Sequence, residues 1–251
     1  MNPITPEWPA PDKVRAFSTV RSGGFSAAPY HGNVSGTGGL NLGLHVGDDP
    51  VTVLKNRALL KKWLPSEPVW LNQVHGTDIV DAGNVSGVPD ADASFTMQKD
   101  VVCVVMTADC LPVLLCSADG AAVAAVHAGW RGLAGGVLEK VVDSLRKKNG
   151  SGIMAWLGPA IGPAAFEVGE DVRKAFLYKS EEFSGAFREK KGGEGKYLAD
   201  IYELARRTLK KTGVSGIYGG NFCTVTDSGR FYSYRRDKIT GRMATGIWIA
   251  S

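Results

Sequence analysis

Residues 101–132 read VVCVVMTADCLPVLLCSADGAAVAAVHAGWRG, and this stretch decides the fold class. Its β-branched and apolar residues predict strands at 101–107, 112–117 and 121–127. Each segment is a continuous apolar run instead of an alternating one, which indicates strands that are buried in sheets. The polar breaks between the runs place Cys110 and His127 at strand ends, where a ligand can reach them.

Strands outnumber helices in the rest of the chain. Further strands are predicted at 14–20, 68–75, 153–157, 222–226, 231–235 and 245–250. Strands and helices do not follow a regular βαβ alternation. The sequence therefore favours an α+β domain with mixed sheets over a Rossmann or TIM-barrel fold.

Three helices are predicted from their ends and apolar faces. Asp49 supplies an N-cap and Pro50 the first helical position of one helix. The apolar periodicity over 133–148 predicts a second, uninterrupted helix. Asp200 caps a third helix, which Gly213 stops.

The composition fits one globular domain. The chain has 251 residues, of which 44% are apolar and 22% charged. No Pro/Ser-rich linker, charge block or internal repeat marks a boundary, so we expect one domain over 12–251 behind a Pro-rich arm at 1–11. The opening MNPITPEWPAPDKVRAF lacks the apolar segment of a signal peptide or membrane anchor, which makes the cytoplasm the expected compartment.

The charge and the cysteines narrow the class of ligand. A net charge of +4 is mildly basic, which favours anionic ligands but is not typical of nucleic-acid binding. The four cysteines lie in or near apolar, strand-like runs and are expected to be reduced. A reduced thiol is free to act as a metal ligand or a nucleophile. The sequence does not decide the oligomeric state.

Three short stretches each carry a possible metal ligand at the end of an apolar run. They are LNQVHG with His75, MTADC with Cys110 and AVHAGWRG with His127. Zinc accepts Cys thiolate and His nitrogen in a tetrahedral shell, and three protein ligands leave one position open. A single His near a strand end is more often a hydrogen-bonded core residue, and the paired CxxC signal of a four-ligand site is absent. Spacing alone leaves both interpretations open.

Six longer motifs carry a resemblance to a known family. They are LNLGLHVGDDP at 40–50, NQVHG at 72–76, TADC at 107–110, HAGWRG at 127–132, LGPAIGP at 157–163 and FYSYRRDKITGRMAT at 231–245. In this order they resemble the YfiH-like laccase-domain family, whose members are also described as multi-copper polyphenol oxidase-like proteins and purine nucleoside phosphorylases. The resemblance runs from about residue 12 to the end of the chain.

The resemblance implies a fold, a metal and an activity. The implied fold is a single α+β domain of mixed sheets sandwiched with helices, in an α/β/β/α arrangement like that of cysteine hydrolases. The implied metal is one zinc ion held by His75, Cys110 and His127. The implied reactions are phosphorolysis of adenosine, inosine, guanosine and methylthioadenosine, and deamination of adenosine. Purine nucleosides and phosphate are thus the expected ligands, and no nucleic acid or membrane is expected.

Phosphorolysis also requires fixed positive charge for phosphate. Arg131 lies at the predicted start of the helix over 133–148, where free N–H groups favour anions, and Arg21 is a second candidate. A surface ion pair explains Arg131 equally well. Arg235 and Arg236 are weaker candidates, because a solvated strand end accounts for them.

Three other polar residues are candidates for the site. Asn41 and His45 lie in a Gly-rich loop and could hydrogen-bond a ribose or base, although Asn41 could equally tie the backbone of its own loop. Asp109 precedes Cys110 and is expected to orient a ligating His or to carry a proton. Asp109 and Cys110 are therefore the predicted catalytic residues.

Three alternative functions remain open at this stage. A cysteine hydrolase would use Cys110 as nucleophile and His75 or His127 as base. A copper-dependent polyphenol oxidase is less favoured, because four histidines are too few for a laccase-type cluster. A non-catalytic zinc-binding module would turn over no nucleoside.

Overall fold

The computed structural model describes residues 2–32, 38–214 and 216–251. Its strands are β1 (Val14–Ser18), β2 (Ser22–Ser26), β3 (Ile79–Asp81), β4 (Ala93–Thr96), β5 (Cys103–Thr107), β6 (Leu111–Ser117), β7 (Val123–Ala128), β8 (Ile153–Leu157), β9 (Glu167–Gly169), β10 (Phe187–Glu189), β11 (Lys196–Ala199), β12 (Gly216–Gly219) and β13 (Met243–Ile249). Its helices are α1 (Pro50–Lys61), α2 (Trp130–Gly135), α3 (Val137–Asn149), α4 (Glu170–Leu177), α5 (Ile201–Lys211) and α6 (Tyr234–Asp237), with a 3-10 helix at Glu181–Ala186.

The strands form a large mixed sheet and two small antiparallel ones. The large sheet has the order β12-β8-β6-β7-β4-β3, in which β12 with β8 and β3 with β4 are parallel and the other pairs antiparallel. One three-stranded sheet has the order β1-β13-β5, and the other β10-β11-β9. Mixed pairing of this kind is what the irregular order of strands and helices predicted.

The central strands are apolar throughout because both of their faces are covered. In β6, Val113 and Leu115 point to one hydrophobic core while Leu114 and Cys116 point to another. Side chains alternate between the two faces of a strand, so a strand buried on both faces needs an apolar residue at every position. Strand β7 divides its residues in the same way.

Three hydrophobic cores define the layers. The first lies between the large sheet and helices α3 and α5, the second between the large sheet and the sheet β1-β13-β5, and the third between that sheet and α1. Leu145 and Leu204 belong to the first core, Val105 to the second, and Leu60 to the third. The resulting layer order is α/β/β/α, and the predicted α+β single domain is confirmed.

The predicted helix caps are confirmed, but one predicted helix is divided. The Asp49 carboxylate accepts hydrogen bonds from the first-turn N–H groups of α1, and Asp200 accepts one from Glu203 at the start of α5. The single helix expected over 133–148 is wrong, because Gly136 has a φ of 96° and separates α2 from α3. A left-handed glycine ends a helix, and here the next helix begins directly after it.

Three predicted strands are wrong. Residues 222–226 and 231–235 form turns and the start of α6, and 68–75 makes only isolated bridges at Val69 and Asn72. Several of their apolar side chains, such as Leu71, Phe231 and Tyr232, are buried without a strand ladder, because side chains take over part of the pairing of backbone groups. The Gln73 amide, for example, accepts from the backbone N–H of Met106 and donates to its carbonyl, both at 2.7 Å.

The segment before β1 lies against the domain, where Ile4 pairs with Ser18 through two backbone hydrogen bonds. Among the described residues, no helix combines the length and the apolar character needed to cross a bilayer.

Candidate metal centre

Three candidate ligands converge at the edge of the large sheet. One ligand atom from each of His75, Cys110 and His127 lies within 4.8 Å of the other two. Sγ of Cys110 is 3.8 Å from Nε2 of His75, and the two imidazole rings meet edge to face with centroids 4.8 Å apart. Residues 35 and 17 positions apart in the chain therefore share one small volume.

Each ligand comes from a different part of the fold. His127 is the second-last residue of β7 and is buried, with 3% of its surface exposed. Cys110 lies in the short loop that carries the chain from β5 in one sheet to β6 in the other. His75 lies in the loop before β3 and is exposed. His75 and Asp109 have φ values of 59° and 92°, which non-glycine residues adopt rarely and often at functional sites.

A fourth residue, Asp92, holds both histidines in place. Its carboxylate accepts a hydrogen bond from Nδ1 of His127 at 2.7 Å and from the backbone N–H groups of Val74, His75 and Gly76 at 3.3, 3.0 and 2.6 Å. A bond to Nδ1 leaves Nε2 of His127 as the nitrogen that can bind a metal. Asp92 is fully buried directly before β4, and the register of β4 with β7 sets it opposite His127.

Gly129 leaves the space that the three ligands surround. A Cβ at this position would lie 3.0 Å from Cδ2 of His75, 3.1 Å from Sγ of Cys110 and 3.5 Å from Cε1 of His127. Any side chain here would push into the centre of the cluster. Glycine at position 129 is thus a steric requirement of the site.

The cluster favours a thiolate beside a protonated imidazole when no metal is bound. Burial raises the pKa of the Cys110 thiol, but the charges and hydrogen bonds of His127 and His75 outweigh burial and lower the pKa. Burial lowers the pKa of His127, but Cys110 and Asp92 outweigh it and raise the pKa. A thiolate is the form of cysteine that binds metals and attacks electrophiles.

Two solvent-open cavities meet at this cluster. The first, of about 410 Å³, is called the polar cavity and is lined by His45, Gln73, Met106, Thr107, His127 and Arg242. The second, of about 260 Å³, is called the aromatic cavity and is lined by Asp109, Trp130, Arg131, Ile161, Phe166, Ile201 and Arg235. Both cavities are also lined by His75, Ala108, Cys110 and Tyr234. Two of the three candidate ligands, His75 and Cys110, therefore line both cavities.

Asp109 does not touch the histidines. One of its carboxylate oxygens accepts from the hydroxyl of Thr224 and the other from the backbone N–H of Arg235, both at 2.6 Å. Its backbone carbonyl accepts from the N–H of Ile161. Asp109 thus anchors the loop of Cys110 to two neighbouring loops, whereas Asp92 is the carboxylate that orients a histidine.

Asn41 and Arg21 make contacts within the fold. Asn41 is fully buried, and its amide bonds the backbone of Gly43 and Arg242 and the carboxylate of Asp48, so it ties its own loop. Arg21 donates to the carbonyl oxygens of His31 and Ser228. It lines a separate cavity that has no lining residue in common with the polar or the aromatic cavity.

His45 and Arg131 do lie at the candidate site, one on each side. His45 lines the polar cavity, and exposed Arg131 lines the aromatic cavity with its guanidinium 4.6 Å from the centre of the Trp130 ring. Arg131 belongs to the six-residue helix α2 and not to the start of the long helix α3, which corrects the position expected for it. Of the weaker candidates, Arg235 lines the aromatic cavity, whereas Arg236 donates to backbone carbonyls of Thr224, Val225 and Phe231.

The donor set fits a metal ion. Two imidazole nitrogens and a thiolate are ligands that zinc accepts, and neighbouring ligands of a tetrahedral zinc lie about 3.5 Å apart. The separation of 3.8 Å between Cys110 and His75 is close to this value. The space kept free by Gly129 and the hydrogen bond from Nδ1 of His127 to Asp92 complete the arrangement expected around a bound ion.

A family model described as "Multi-copper polyphenol oxidoreductase laccase" matches residues 15–250. The chain belongs to this family. The match covers nearly the whole chain and includes all three candidate ligands.

Relatives with this fold share much of the sequence. The purine nucleoside phosphorylase PA4543 of Pseudomonas aeruginosa and the purine nucleoside phosphorylase YfiH of Escherichia coli K12 are each 52% identical to the chain, with 98% of both chains covered. The crystal structure of protein NMB0706 from Neisseria meningitidis is 48% identical and superposes with a TM-score of 0.92 over 100% of both chains. YlmD from Geobacillus stearothermophilus is 31% identical with a TM-score of 0.85, covering 96% of this chain and 93% of that one.

Proposed function

We propose that the chain is a zinc-dependent purine nucleoside phosphorylase of the cytoplasm that also deaminates adenosine. The observation that carries this proposal is the convergence of His75, Cys110 and His127 where two open cavities meet, with His75 and Cys110 lining both. Phosphorolysis brings a nucleoside and phosphate to one reacting carbon, so it needs two binding spaces that meet at one point. The names of the two relatives that are 52% identical support the same reaction class.

The donor set supports zinc as the metal. His75, Cys110 and His127 would hold the ion, and zinc with three protein ligands supplies a Lewis acid with one open position. A laccase-type copper cluster needs more histidines than the four in this chain, although the family's description mentions copper.

The lining of the two cavities suggests which residues contact the purine base and which contact the polar parts of the substrates. Trp130, Ile161 and Phe166 offer apolar and aromatic surface to a purine base, with Arg131 at the rim. His45 offers hydrogen bonds on the polar side. Adenosine, inosine, guanosine and methylthioadenosine have a purine in common and differ at its ring substituents or at the 5′ position. We expect all four to bind in the aromatic cavity.

Metal analysis and a nucleoside screen test the proposal together. Untagged protein should contain about one zinc per chain, and mass spectrometry should detect free purine base only when phosphate is present. Inosine should form from adenosine with or without phosphate. Base release that is independent of phosphate, or no turnover of any of the four nucleosides, would contradict the proposal.

A cysteine hydrolase is the second candidate function. The lowered pKa of Cys110 beside His127 favours it, because a thiolate and an imidazolium are also the parts of a Cys-His nucleophile. Chelation separates the two functions. Activity that survives complete removal of the metal would support the hydrolase, whereas loss of activity that added zinc restores would support the metal enzyme.

A further inference from the structure

We propose that Arg242 holds the phosphate in the polar cavity, so that phosphate and purine approach the reacting carbon from opposite cavities. This inference rests on the proposed phosphorolysis and assigns its anion site. Arg242 lies 100 or more residues from all three candidate ligands in the sequence, and it joins them only because β13 pairs with β5. It is half-buried and lines the polar cavity beside the cluster.

The guanidinium of Arg242 is fixed along one edge and free along the other. Its Nη1 donates to the carbonyl oxygens of Thr240 and Gly241, both at 3.1 Å, and its backbone N–H donates to Asn41 at 2.9 Å. Over residues 2–32, 38–214 and 216–251, Nε and Nη2 have no hydrogen-bond partner. Arginine has five N–H donors in a planar fork. The three remaining donors match the oxygens of a phosphate.

The polar cavity has the charge that an anion requires. Its lining includes the permanently charged Arg242 and no carboxylate among the described residues. Burial lowers the pKa of His45, and the positive charges of Arg242 and Arg57 lower it further. Nearby positive charges disfavour the protonated imidazole, so this shift reflects a positive electrostatic potential at His45. Arg57 is fixed in place because its Nε donates a hydrogen bond to the carbonyl of Leu42 and its guanidinium stacks on Trp70, 3.8 Å from the ring centre.

The other basic residues at the site are less suited to phosphate. Arg131 is exposed, and solvent and salt weaken the attraction of an exposed cation for an anion. Arg235 donates to the carbonyl of Ala165 and lines the same cavity as the carboxylate of Asp109, whereas the charge of Asp109 reaches Arg242 from outside the lining of the polar cavity. A half-buried guanidinium in a cavity without carboxylates binds phosphate more strongly.

The two cavities also satisfy the geometry of the reaction. A phosphate oxygen forms a bond to C1′ of the ribose while the bond from C1′ to N9 of the purine breaks. The electron pair of that bond leaves with the purine, which takes up a proton from solvent, and the products are ribose 1-phosphate and the free base. Attack and departure occur on opposite sides of C1′. Phosphate on Arg242 and a base against Trp130 would lie in different cavities, both of which border on His75 and Cys110.

Phosphate kinetics on matched arginine variants test the inference. Initial rates of base release from saturating inosine would be measured over a range of phosphate concentrations for wild type, Arg242→Gln, Arg242→Lys and Arg131→Gln. We expect Arg242→Gln to raise the KM for phosphate about ten- to a hundred-fold. Arg242→Lys should recover part of the loss, and Arg131→Gln should change this KM less than Arg242→Gln does. Arg188→Gln, exposed on β10, is the control that should match wild type.

Calorimetric titration of the zinc-loaded protein with inorganic phosphate gives a readout that does not need turnover. Wild type should bind phosphate and Arg242→Gln should bind it at least tenfold more weakly, with thermal unfolding of each variant as the check on folding. A wild-type KM for phosphate in Arg242→Gln, or a larger rise in Arg131→Gln, would overturn the inference while leaving phosphorolysis intact. If wild type shows no phosphorolysis, the proposed function fails, and equal phosphate binding by wild type and Arg242→Gln would overturn this inference separately.

Discussion

The carboxylate of Asp92 accepts a hydrogen bond from Nδ1 of His127 at 2.7 Å, and both side chains are almost completely buried. The same oxygen accepts from the backbone N–H of His75 at 3.0 Å. One carboxylate therefore orients the ring of one candidate ligand and fixes the backbone of another. Such a residue controls metal affinity without touching the metal.

Replacing Asp92 should weaken the metal site. In Asp92→Asn, we expect the affinity for zinc to fall about 10- to 100-fold. The amide has one acceptor oxygen, so it cannot accept all the hydrogen bonds from His127 and from the backbone of residues 74–76 that the carboxylate accepts. Competition with a chromophoric chelator measures this affinity. Asp90→Asn is the matched control, since Asp90 is exposed and its side chain accepts a hydrogen bond from exposed Asn72. Equal affinities in the two variants would show that Asp92 does not position the ligands.

Replacing Cys110 should remove the metal and both activities but not the fold. Cys110→Ala deletes one of three ligands on a loop, whereas the three hydrophobic cores remain complete. We expect no bound zinc, no phosphorolysis and no deamination, with thermal unfolding near that of wild type. Cys116→Ala should keep zinc and both activities but lower the unfolding temperature, because Cys116 is fully buried in the second core and is not one of the candidate ligands. Deamination that persists in Cys110→Ala would mean that a second site performs it.

The Cys110 thiol of the metal-free protein should react at unusually low pH. His127 and His75 lower its pKa in spite of burial, so the thiolate persists as pH falls below about 8.5, the usual pKa of a cysteine. We expect the rate of alkylation by iodoacetamide to reach half its maximum well below that pH. Burial raises the pKa of Cys103 and Cys116 to about 12, which keeps both unreactive.

The measurement uses chelator-treated Cys223→Ala protein, because Cys223 is also partly exposed. Bound zinc should protect Cys110 from the reagent. A half-maximal rate at or above pH 8.5 would contradict the pairing of the thiolate with His127.

A single methyl group at Gly129 should disturb the metal site. The added Cβ of Gly129→Ala would lie 3.0 to 3.5 Å from atoms of all three ligands, so the ligands must move apart. We expect zinc affinity to fall by at least tenfold while the unfolding temperature changes little. Gly229→Ala, whose Cβ would meet nothing within 4 Å, provides the comparison. Full zinc occupancy of Gly129→Ala under chelator competition would argue against a crowded cluster.

Asn56 should be a major contributor to stability. Its amide, fully buried in α1, accepts from the N–H of Phe25 and donates to Ser26 and to the carbonyls of Gly39 and Asn41. Asn56→Ala leaves several buried polar groups without partners, so we expect a loss of about 2–4 kcal/mol in the free energy of unfolding. Urea denaturation measures it. Asn84→Ala, which removes one exposed bond to Asp81, should cost much less.

The sequence predicted those parts of the fold that local pattern determines. The apolar runs correctly predicted β5 to β8, and Asp49 and Asp200 correctly predicted where α1 and α5 begin. Gly136 was not recognised as a break, because a glycine within an apolar periodicity signals a left-handed turn only if φ is known. The predicted strands at 222–226 and 231–235 failed because burial alone does not distinguish a packed loop from a strand.

The sequence predicted less of the site than of the fold. Asp92 was missed because its role depends on the pairing of β4 with β7, a contact between residues 35 positions apart. Arg242 was missed for the same reason, since it reaches the cluster through the pairing of β13 with β5. Motifs identified the three candidate ligands because all three lie next to short, distinctive sequences. Residues that support them are set by long-range register, which no local motif records.

The unequal exposure of the three candidate ligands gives the site a direction for metal exchange. His127 is buried and held by Asp92, Cys110 is partly covered, and His75 is open to solvent. An incoming ion would bind buried His127 and Cys110 first and exposed His75 last, and a departing ion would release them in the opposite order. Loss of the ion would therefore begin at His75, and the rate at which a chelator removes it would depend on how readily the loop of His75 moves away.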